Sequence, residues 1–328
     1  MSPIDPALPA APLALPALGY GAANVGNLFR ELTDDEAWAV LEAAWDAGIR
    51  YFDTAPHYGL GLSEKRLGAF LQTKPREEFF VSTKAGRLLR PNSEHRPGGL
   101  DTAHDFFVAD DLRRVWDFSE AGIRTSIAES QERLGLDRID LLYLHDPERN
   151  DLDLAISEAF PAMQAVRDEG MVGAIGVGSM TADALTRSVR EADLDLIMVA
   201  GRYTLLEQPA AADVLPACAE RGTGVVAASV FNSGLLAQTE PKRDGRYEYG
   251  QLPEELWDRL VRIAAVCQDH GVPLPAAAIQ FPLQSEVVRS VVVGGSRPAQ
   301  LRQNAEYAAL EIPTDLWRDL AEEGLTDA

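Results

Sequence analysis

The segment Ile139-Asp-Leu-Leu-Tyr-Leu-His145-Asp146 decides the fold, because it is a strand-length apolar run that ends in two polar residues. Val291-Val-Val-Gly294-Gly295-Ser296 has the same form. Strands that are apolar on both faces belong to sheets covered by helices on both sides, and such sheets are mostly parallel. The pattern therefore predicts an α/β protein.

Apolar runs of this kind alternate with helical patterns along the chain. The predicted strands are Ala17–Ala22, Ile49–Asp53, Phe79–Lys84, Ile139–His145, Val172–Val177, Leu194–Val199, Gly224–Val230 and Val287–Val293. Parallel neighbours need crossover connections, so the alternation predicts a closed (β/α)8 TIM barrel. An open doubly wound sheet is the alternative, although the first turn, Leu18-Gly-Tyr-Gly-Ala-Ala-Asn, lacks a Gly-x-Gly-x-x-Gly motif.

The helical patterns carry recognisable ends. Thr33-Asp-Asp-Glu36 is a capping box, and Gly135 and Gly170 follow the last turns of two later helices. The predicted helices are 33–47, 63–71, 120–134, 154–169, 182–191, 210–221, 253–270, 275–284, 298–308 and 314–323.

We expect residues 1–16, rich in Pro and Ala, to form an N-terminal tail, and residues 17–328 to form a single barrel domain. Two connections are long for this fold: Ala85–Phe118 after the third strand and Phe231–Leu252 after the seventh. Both leave the C-terminal ends of strands, where barrel active sites lie. We therefore expect these long loops to shape the active site.

Composition and charge limit the classes of binding partner that the protein is expected to have. The 328 residues carry a net charge of −21, which disfavours nucleic acid and anionic membrane surfaces. No apolar run reaches membrane-spanning length, and the N-terminus lacks the basic start of a signal peptide. Cys218 and Cys267 have no Cys or His nearby at ligand spacing, so no metal site is predicted. We expect a cytoplasmic monomer or small homo-oligomer that acts on a small molecule.

Asp53, Tyr58, Lys84 and His145 lie at or just beyond the ends of predicted strands. Singly, such residues are typical of loop caps, solvated charges and ordinary packing, but barrel topology places all of them on one rim. An unperturbed tyrosine has a pKa of about 10, which is high for proton exchange near neutral pH. A neighbouring ammonium and a hydrogen-bonding imidazole favour the phenolate. The four residues therefore predict a tyrosine acid–base site.

These segments resemble the aldo-keto reductase superfamily. The resemblance runs from Gly19 to Tyr307 and rests on Phe52-Asp53-Thr-Ala-x-x-Tyr58-Gly, on Gly61-x-Ser-Glu64-x-x-Leu-Gly68, on Lys84 and His145, and on Gly294–Asn304. It implies a (β/α)8 barrel that binds a nicotinamide cofactor without a Rossmann motif. It also implies that Tyr58 donates or accepts the proton, that Lys84 lowers the pKa of Tyr58 and pairs with Asp53, and that His145 orients the substrate oxygen.

The same resemblance implies a set of cofactor contacts. They are Gly21, Ser179, Tyr203, Ser229, Phe231, Asn232, Ser233, Gly234, Leu235, Gly294, Gly295, Ser296, Arg297, Gln300 and Asn304. Met180 and Ala200 replace the Asn and Gln that usually contact the carboxamide, and Phe231 or Tyr203 could supply the ring that stacks on nicotinamide. Gly294 and Gln300 stand where members that prefer NADPH have basic residues. We therefore expect NAD as the preferred cofactor, with NADP as the alternative.

Three phrases resemble one branch of the family: Lys84-Ala-Gly-Arg87-Leu-Leu-Arg90-Pro, His145-Asp146-Pro147 and Ala200-Gly-Arg-Tyr203. This branch oxidises the anomeric hydroxyl of free aldoses, of the L-fucose, D-threo-aldose or D-galactose type, to a lactone. The candidate substrate residues are His57, Arg87, Trp116, Asp146 and Arg202.

Three alternatives remain open. Pyridoxal oxidation uses the same cyclic hemiacetal chemistry, and the quartet also suits a general aldehyde or ketone reductase. A non-enzymatic, cofactor-binding regulatory subunit is the remaining possibility, and the presence of all four catalytic residues argues against it.

Overall fold

A computed structural model describes residues 14–243, 245–248 and 250–327. Its strands are β1 (Leu18–Gly21), β2 (Tyr51–Asp53), β3 (Phe80–Ala85), β4 (Arg87–Pro91), β5 (Leu112–Trp116), β6 (Ile139–His145), β7 (Val172–Ser179), β8 (Leu196–Ala200), β9 (Gly224–Ala228), β10 (Arg246–Tyr247), β11 (Gly250–Gln251) and β12 (Val288–Val293). Parallel pairing in the order β1-β2-β3-β6-β7-β8-β9-β12, closed back onto β1, forms a barrel. The predicted (β/α)8 fold is confirmed.

The helices connect the barrel strands, and the last two follow β12. They are α1 (Asp34–Asp46), α2 (Leu62–Leu71), α3 (Glu120–Leu134), α4 (Leu152–Leu154), α5 (Phe160–Asp168), α6 (Ala182–Glu191), α7 (Val214–Arg221), α8 (Glu254–Asp269), α9 (Leu274–Gln280), α10 (Pro298–Ala309) and α11 (Thr314–Glu322). The predicted helix 154–169 is divided by a π-helical turn, Ala155–Ala159, just before Pro161. Proline lacks the N–H that an α-helical bond would need, which explains the change of helical repeat.

Strand register brings the predicted site residues to one rim. Asp53 pairs with Gly21 on one side and with Ser82 on the other, and His145 pairs with Gly178. The barrel interior is filled by side chains that include Tyr51, Leu141, Tyr143, Ala174, Leu196, Met198, Val226 and Val292. A packed interior leaves the C-terminal rim as the place for chemistry.

The two long connections contain strands that the sequence analysis missed. Residues 85–118 hold the antiparallel hairpin β4–β5, in which Arg87 pairs with Trp116, and residues 231–252 hold the short pair β10–β11. The pattern in β4 and β5, Arg87-Leu-Leu-Arg90 and Leu112-Arg-Arg-Val-Trp116, does not alternate cleanly between apolar and polar. The two long loops lie where the sequence predicted them, and each contains a short antiparallel strand pair.

Residues 1–13 of the predicted tail lie outside the described residues, so the division into tail and single domain stays a prediction. Leu15 packs against the interior cluster of the barrel. Among the described helices, none has the length and apolar character needed to cross a membrane.

Candidate active site

A buried ion pair forms the floor of the site. Lys84 Nζ donates to Asp53 Oδ2 at 2.6 Å and to the carbonyl oxygen of Thr54 at 2.9 Å. The second carboxylate oxygen, Asp53 Oδ1, accepts a hydrogen bond from Ser82 at 2.7 Å. The Lys84 and Asp53 side chains are only 2% and 3% exposed. A buried charge pair is tolerated when hydrogen bonds offset the loss of water, and these bonds do so.

Tyr58 lies beside this pair. Lys84 Nζ is 4.8 Å from the centre of the Tyr58 ring. The ring of His145 stands edge-on to Tyr58, with centres 5.8 Å apart and planes at 89°. Phe106, from the β4–β5 connection, lies 6.2 Å away between ring centres. The structure thus brings together all four residues that the sequence singled out as catalytic.

Burial and charge act in opposite directions on these groups. Burial raises the pKa of Tyr58 and Lys84 lowers it, and burial is the larger effect, so that pKa stands above its usual value. Burial lowers the pKa of Lys84, but Asp53 and Tyr58 together outweigh it and raise that pKa. Burial, with the positive charges of Arg87 and Lys84, holds the pKa of His145 well below its usual range. His145 is therefore neutral at physiological pH.

Sequence reasoning considered the Lys84 charge acting on Tyr58 and overlooked desolvation. The local effect of Lys84 has the expected sign, but the net direction for Tyr58 is corrected to a raised pKa. The cause is tertiary, because the ring is enclosed by side chains from three separate segments of the chain.

Four of the predicted substrate residues lie next to the quartet. Arg87 Nη2 donates to Asp146 Oδ2 at 2.7 Å, and Arg87 Nη1 lies 3.3 Å from His57 Nδ1. The guanidinium of Arg87 covers the Trp116 ring at 4.3 Å from its centre. Asp146 Oδ2 is 3.8 Å from His145 Nε2. We call His57, Arg87, Trp116 and Asp146 the polar wall. Arg87 is the first residue of β4, so the β4–β5 hairpin, which the sequence analysis missed, positions part of this wall.

Arg202 is not brought to this wall. Its Nε donates to the carbonyl of Met180 at 2.7 Å, and its guanidinium forms an ion pair with Glu248. Glu207 lies 3.7 Å away on the other side. These contacts place Arg202 on the wall of a larger, neighbouring cavity.

Two adjoining cavities open at the rim. The smaller, about 220 Å³, has Asp53, Tyr58, Lys84, His145, Asp146 and Ser179 among its lining residues. The larger, about 970 Å³, extends past the ends of β9 and β12. Both are lined by Asn24, Leu28, Ser229, Val292 and Gly294. Together they form an elongated groove that ends at Tyr58.

Most of the predicted cofactor residues line this groove. They are Gly21, Ser179, Ser229, Phe231, Asn232, Ser233, Gly234, Gly294, Gly295, Ser296 and Gln300. The remaining four lie elsewhere or at its margin: Leu235 and Tyr203 pack in the core, Arg297 is exposed, and Asn304 donates to the Gly294 carbonyl at 3.4 Å. Of the two rings considered for stacking, Phe231 therefore faces the groove.

Glu148 is a residue that the sequence analysis missed. Ser179 Oγ donates to Glu148 Oε1 at 2.6 Å and accepts from the Thr181 amide at 2.9 Å. Among the described residues, Glu148 Oε2 and Asn232 Oδ1 are buried acceptors without a protein partner. Asn232 lines the larger cavity, and a ribose hydroxyl is a donor that suits its Oδ1. The residues present therefore fit a nicotinamide dinucleotide.

At the far end of the groove, the side chain of Gln300 caps two backbone amides at the start of α10. Gln300 Oε1 accepts from the amides of Ser296 and Arg297 at 3.0 and 3.1 Å. Arg30, also missed by the sequence analysis, donates to the Ser296 carbonyl at 3.0 Å. Its place in the loop after β1 was the available signal, since β1 is the barrel neighbour of β12.

A half-buried tyrosine beside a buried lysine–aspartate pair, at one end of an elongated groove on the C-terminal rim of a (β/α)8 barrel, indicates an oxidoreductase that uses a dinucleotide cofactor. The Aldo/keto reductase family model matches residues 17–323, and the chain belongs to this family. Membership implies a nicotinamide cofactor. The resemblance stated from the sequence motifs is confirmed.

Known relatives cover nearly the whole chain. It is 83% identical over 322 residues to a D-threo-aldose 1-dehydrogenase of Pseudomonas, with 98% of each chain covered. It is 38% identical to the pyridoxal 4-dehydrogenase of Microbacterium luteolum, with 95% of each covered. Among solved structures, the glycerol dehydrogenase of Gluconobacter oxydans superposes with a TM-score of 0.75 at 22% identity, covering 96% of this chain and 94% of that one. At that identity the likeness supports the fold alone.

Proposed function

We propose that this protein is an NAD(P)-dependent aldose 1-dehydrogenase that oxidises the anomeric hydroxyl of a free aldose to a lactone. The observation that carries the proposal is the position of Tyr58, between the buried Lys84–Asp53 pair and neutral His145, at the end of the groove. The 83% identity to a protein named for this activity supports it.

The chain's own residues would manage one proton and the position of one carbon. A nicotinamide held in the groove would supply the redox chemistry as the hydride acceptor. Tyr58, as phenolate, would accept the proton of the anomeric hydroxyl, which leaves the oxygen free to become the carbonyl of the lactone. Lys84 favours the phenolate through its charge. Neutral His145 donates a hydrogen bond to the substrate oxygen and fixes its direction.

The polar wall supports a polyol substrate. The carboxylate of Asp146, which lines the smaller cavity, is a charged acceptor close to His145, and Arg87 holds it in place through an ion pair. Ring hydroxyls can donate to this carboxylate, and hydrogen bonds to charged groups are the stronger kind. Pyridoxal 4-dehydrogenation is the second candidate because of the 38% relative. Pyridoxal has an aromatic ring and fewer hydroxyls that could form hydrogen bonds with the polar wall.

NAD is the proposed preferred cofactor. Gln300 Oε1 already accepts from the Ser296 and Arg297 amides, which are the donors that a 2′-phosphate would use at the start of α10. NADP would have to displace this cap, although Arg30 and Arg297 offer compensating charge. The cytoplasmic location and the monomeric or small homo-oligomeric state also remain proposals.

A substrate panel tests the function. Reduced-cofactor absorbance would be followed with L-fucose, D-arabinose, D-galactose, pyridoxal and a simple aldehyde, each with NAD and NADP, or with the reduced forms for the aldehyde. We expect the highest kcat/KM with an aldose and NAD. Preference for pyridoxal would select the second candidate. Tight cofactor binding with no turnover of any of these compounds would refute the enzymatic function.

A further inference from the structure

Asp53 Oδ1 accepts a hydrogen bond from the first member of a chain of buried hydroxyls. These hydroxyls have no role in the proton transfer from substrate to Tyr58. Ser82 Oγ donates to Asp53 Oδ1 at 2.7 Å. Tyr51 Oη lies 3.0 Å from Ser82 Oγ, and Tyr143 Oη lies 3.5 Å from Tyr51 Oη. Ser82 and both tyrosines are completely buried, and they come from the three adjacent strands β3, β2 and β6.

The direction of the protons in this chain follows from the chemistry of the groups. A carboxylate only accepts, so the single proton of Ser82 points to Asp53. Tyr51 must then donate to Ser82, and Tyr143 to Tyr51. All the hydroxyl dipoles point toward the carboxylate, and hydrogen bonds aligned in series polarise one another. The chain therefore stabilises the negative charge of Asp53 and restrains its rotation.

We propose that Ser82, supported by Tyr51, is a positioning residue that orients the Asp53 carboxylate so that Lys84 is held against Tyr58. Asp53 receives Ser82 on one oxygen and Lys84 on the other, so its two oxygens have separate tasks. Removing the Ser82 hydroxyl leaves a buried acceptor unpaired and frees the carboxylate to rotate. Lys84 would then lose its fixed direction, and the phenolate of Tyr58 would lose part of its stabilising charge.

The proposal predicts a change in pH dependence that a purely structural serine would not cause. Charged and titratable groups face Tyr58 from every side: Lys84, Asp53, Asp146, His145 and His57. Of these, Asp53 is bonded directly to Ser82, and Lys84 is connected to Ser82 through Asp53. If Lys84 acts less strongly on Tyr58, the pKa of Tyr58 rises. The pH range over which the oxidation rate increases, the rising limb of the pH profile, then moves to higher pH.

The experiment compares Ser82→Ala with Ser290→Ala. Ser290 is equally buried, in barrel strand β12, and its hydroxyl has no partner among the described residues. We expect Ser82→Ala to lower kcat for L-fucose oxidation about tenfold at pH values below the rising limb, because a rise of one unit in the pKa of Tyr58 reduces its phenolate fraction tenfold. We also expect it to move the rising limb of kcat upward by about one pH unit, with the cofactor Kd unchanged. Ser82→Thr, which keeps the hydroxyl, should restore the limb, and Ser290→Ala should leave it in place.

Two results would overturn the inference. One is a kcat and pH limb in Ser82→Ala equal to those of the wild type. The other is a lower melting temperature with an unshifted limb, which would mean a structural role only. The inference rests on the proposed role of Tyr58 but not on the sugar: if the wild-type protein oxidises no aldose, the same comparison is made with whichever panel compound it turns over. A wild-type protein without any turnover would refute both proposals, whereas an active wild type with an unaffected Ser82→Ala refutes this one alone.

Discussion

Lys84 Nζ and Asp53 Oδ2 lie 2.6 Å apart inside the barrel, where both side chains are almost completely removed from solvent. The pair joins β3 to β2 and places a positive charge 4.8 Å from the centre of the Tyr58 ring. Its geometry therefore affects both the stability of the protein and the proton chemistry of the tyrosine.

Breaking this pair should destabilise the protein strongly. Asp53→Asn leaves Lys84 as an uncompensated buried charge, and such changes cost about 3–5 kcal/mol in the free energy of unfolding. The double variant Asp53→Asn with Lys84→Met should cost less than the sum of the two single changes, since no lone charge remains. Urea denaturation measures both. Glu120→Gln, which alters an exposed pair with Arg124, is the control at below about 1 kcal/mol. Additive single-variant costs would contradict the coupling.

Removing one oxygen atom from Tyr58 should stop the chemistry and spare binding. We expect Tyr58→Phe to lower kcat by about 10²–10⁴-fold, the usual contribution of a positioned acid–base group. The ring and its contacts with His145 and Phe106 remain, so the cofactor Kd from fluorescence titration should be nearly unchanged. Tyr307→Phe removes a surface hydroxyl that pairs with Gln303 and serves as the control. Loss of cofactor binding in Tyr58→Phe would instead assign that residue a structural role.

The rate should depend on pH through Tyr58 and not through His145. The raised pKa of Tyr58 means that the neutral phenol predominates near neutral pH, so oxidation, which needs the phenolate, should accelerate as pH rises. The pKa of His145 lies well below its usual range, so it stays neutral and contributes no break near the usual histidine pKa of about 6.5. A kcat/KM profile for the aldose measures this dependence. An inflection near 6.5 that His145→Gln abolishes would show that His145 titrates.

The same histidine should make the fold sensitive to acid. The pKa of His145 is lowered in the folded state, so below about pH 6.5 the unfolded chain binds a proton that the folded protein does not. Stability should fall by about 1.4 kcal/mol for each pH unit below that value, for this residue alone. Denaturation of the wild type and His145→Asn at pH values above and below this point tests it. Equal slopes in the two proteins would contradict the prediction.

Cofactor choice should respond to Gln300. Gln300→Ala frees the Ser296 and Arg297 amides, which then become available to a 2′-phosphate. We expect the Kd of NADP to fall about tenfold relative to the Kd of NAD, because hydrogen bonds to a charged group typically contribute this much to affinity. Gln303→Ala, on the same helix, is the control. If the wild type already binds NADP much more tightly than NAD, the preference for NAD is wrong.

Much of the site was predictable because barrel topology is regular. Once Asp53, Lys84 and His145 are placed at strand ends, a closed parallel barrel must bring them to one rim. Side-chain contacts between loops that follow different strands could not be predicted in the same way. The Arg87–Asp146 pair depends on a hairpin without a clear alternating pattern, and the Ser179–Glu148 bond joins the ends of two different strands.

Periodicity and short motifs are local properties of the chain, so they were enough to predict the order of the eight barrel strands, the barrel, the family and the four residues at or just beyond the strand ends. The tertiary structure decided the net direction of the Tyr58 pKa, the place of Arg202 outside the polar wall, and the cap that Gln300 forms over the α10 amides. Desolvation and side-chain contact depend on which distant segments enclose a group. That arrangement exists only once the barrel has closed.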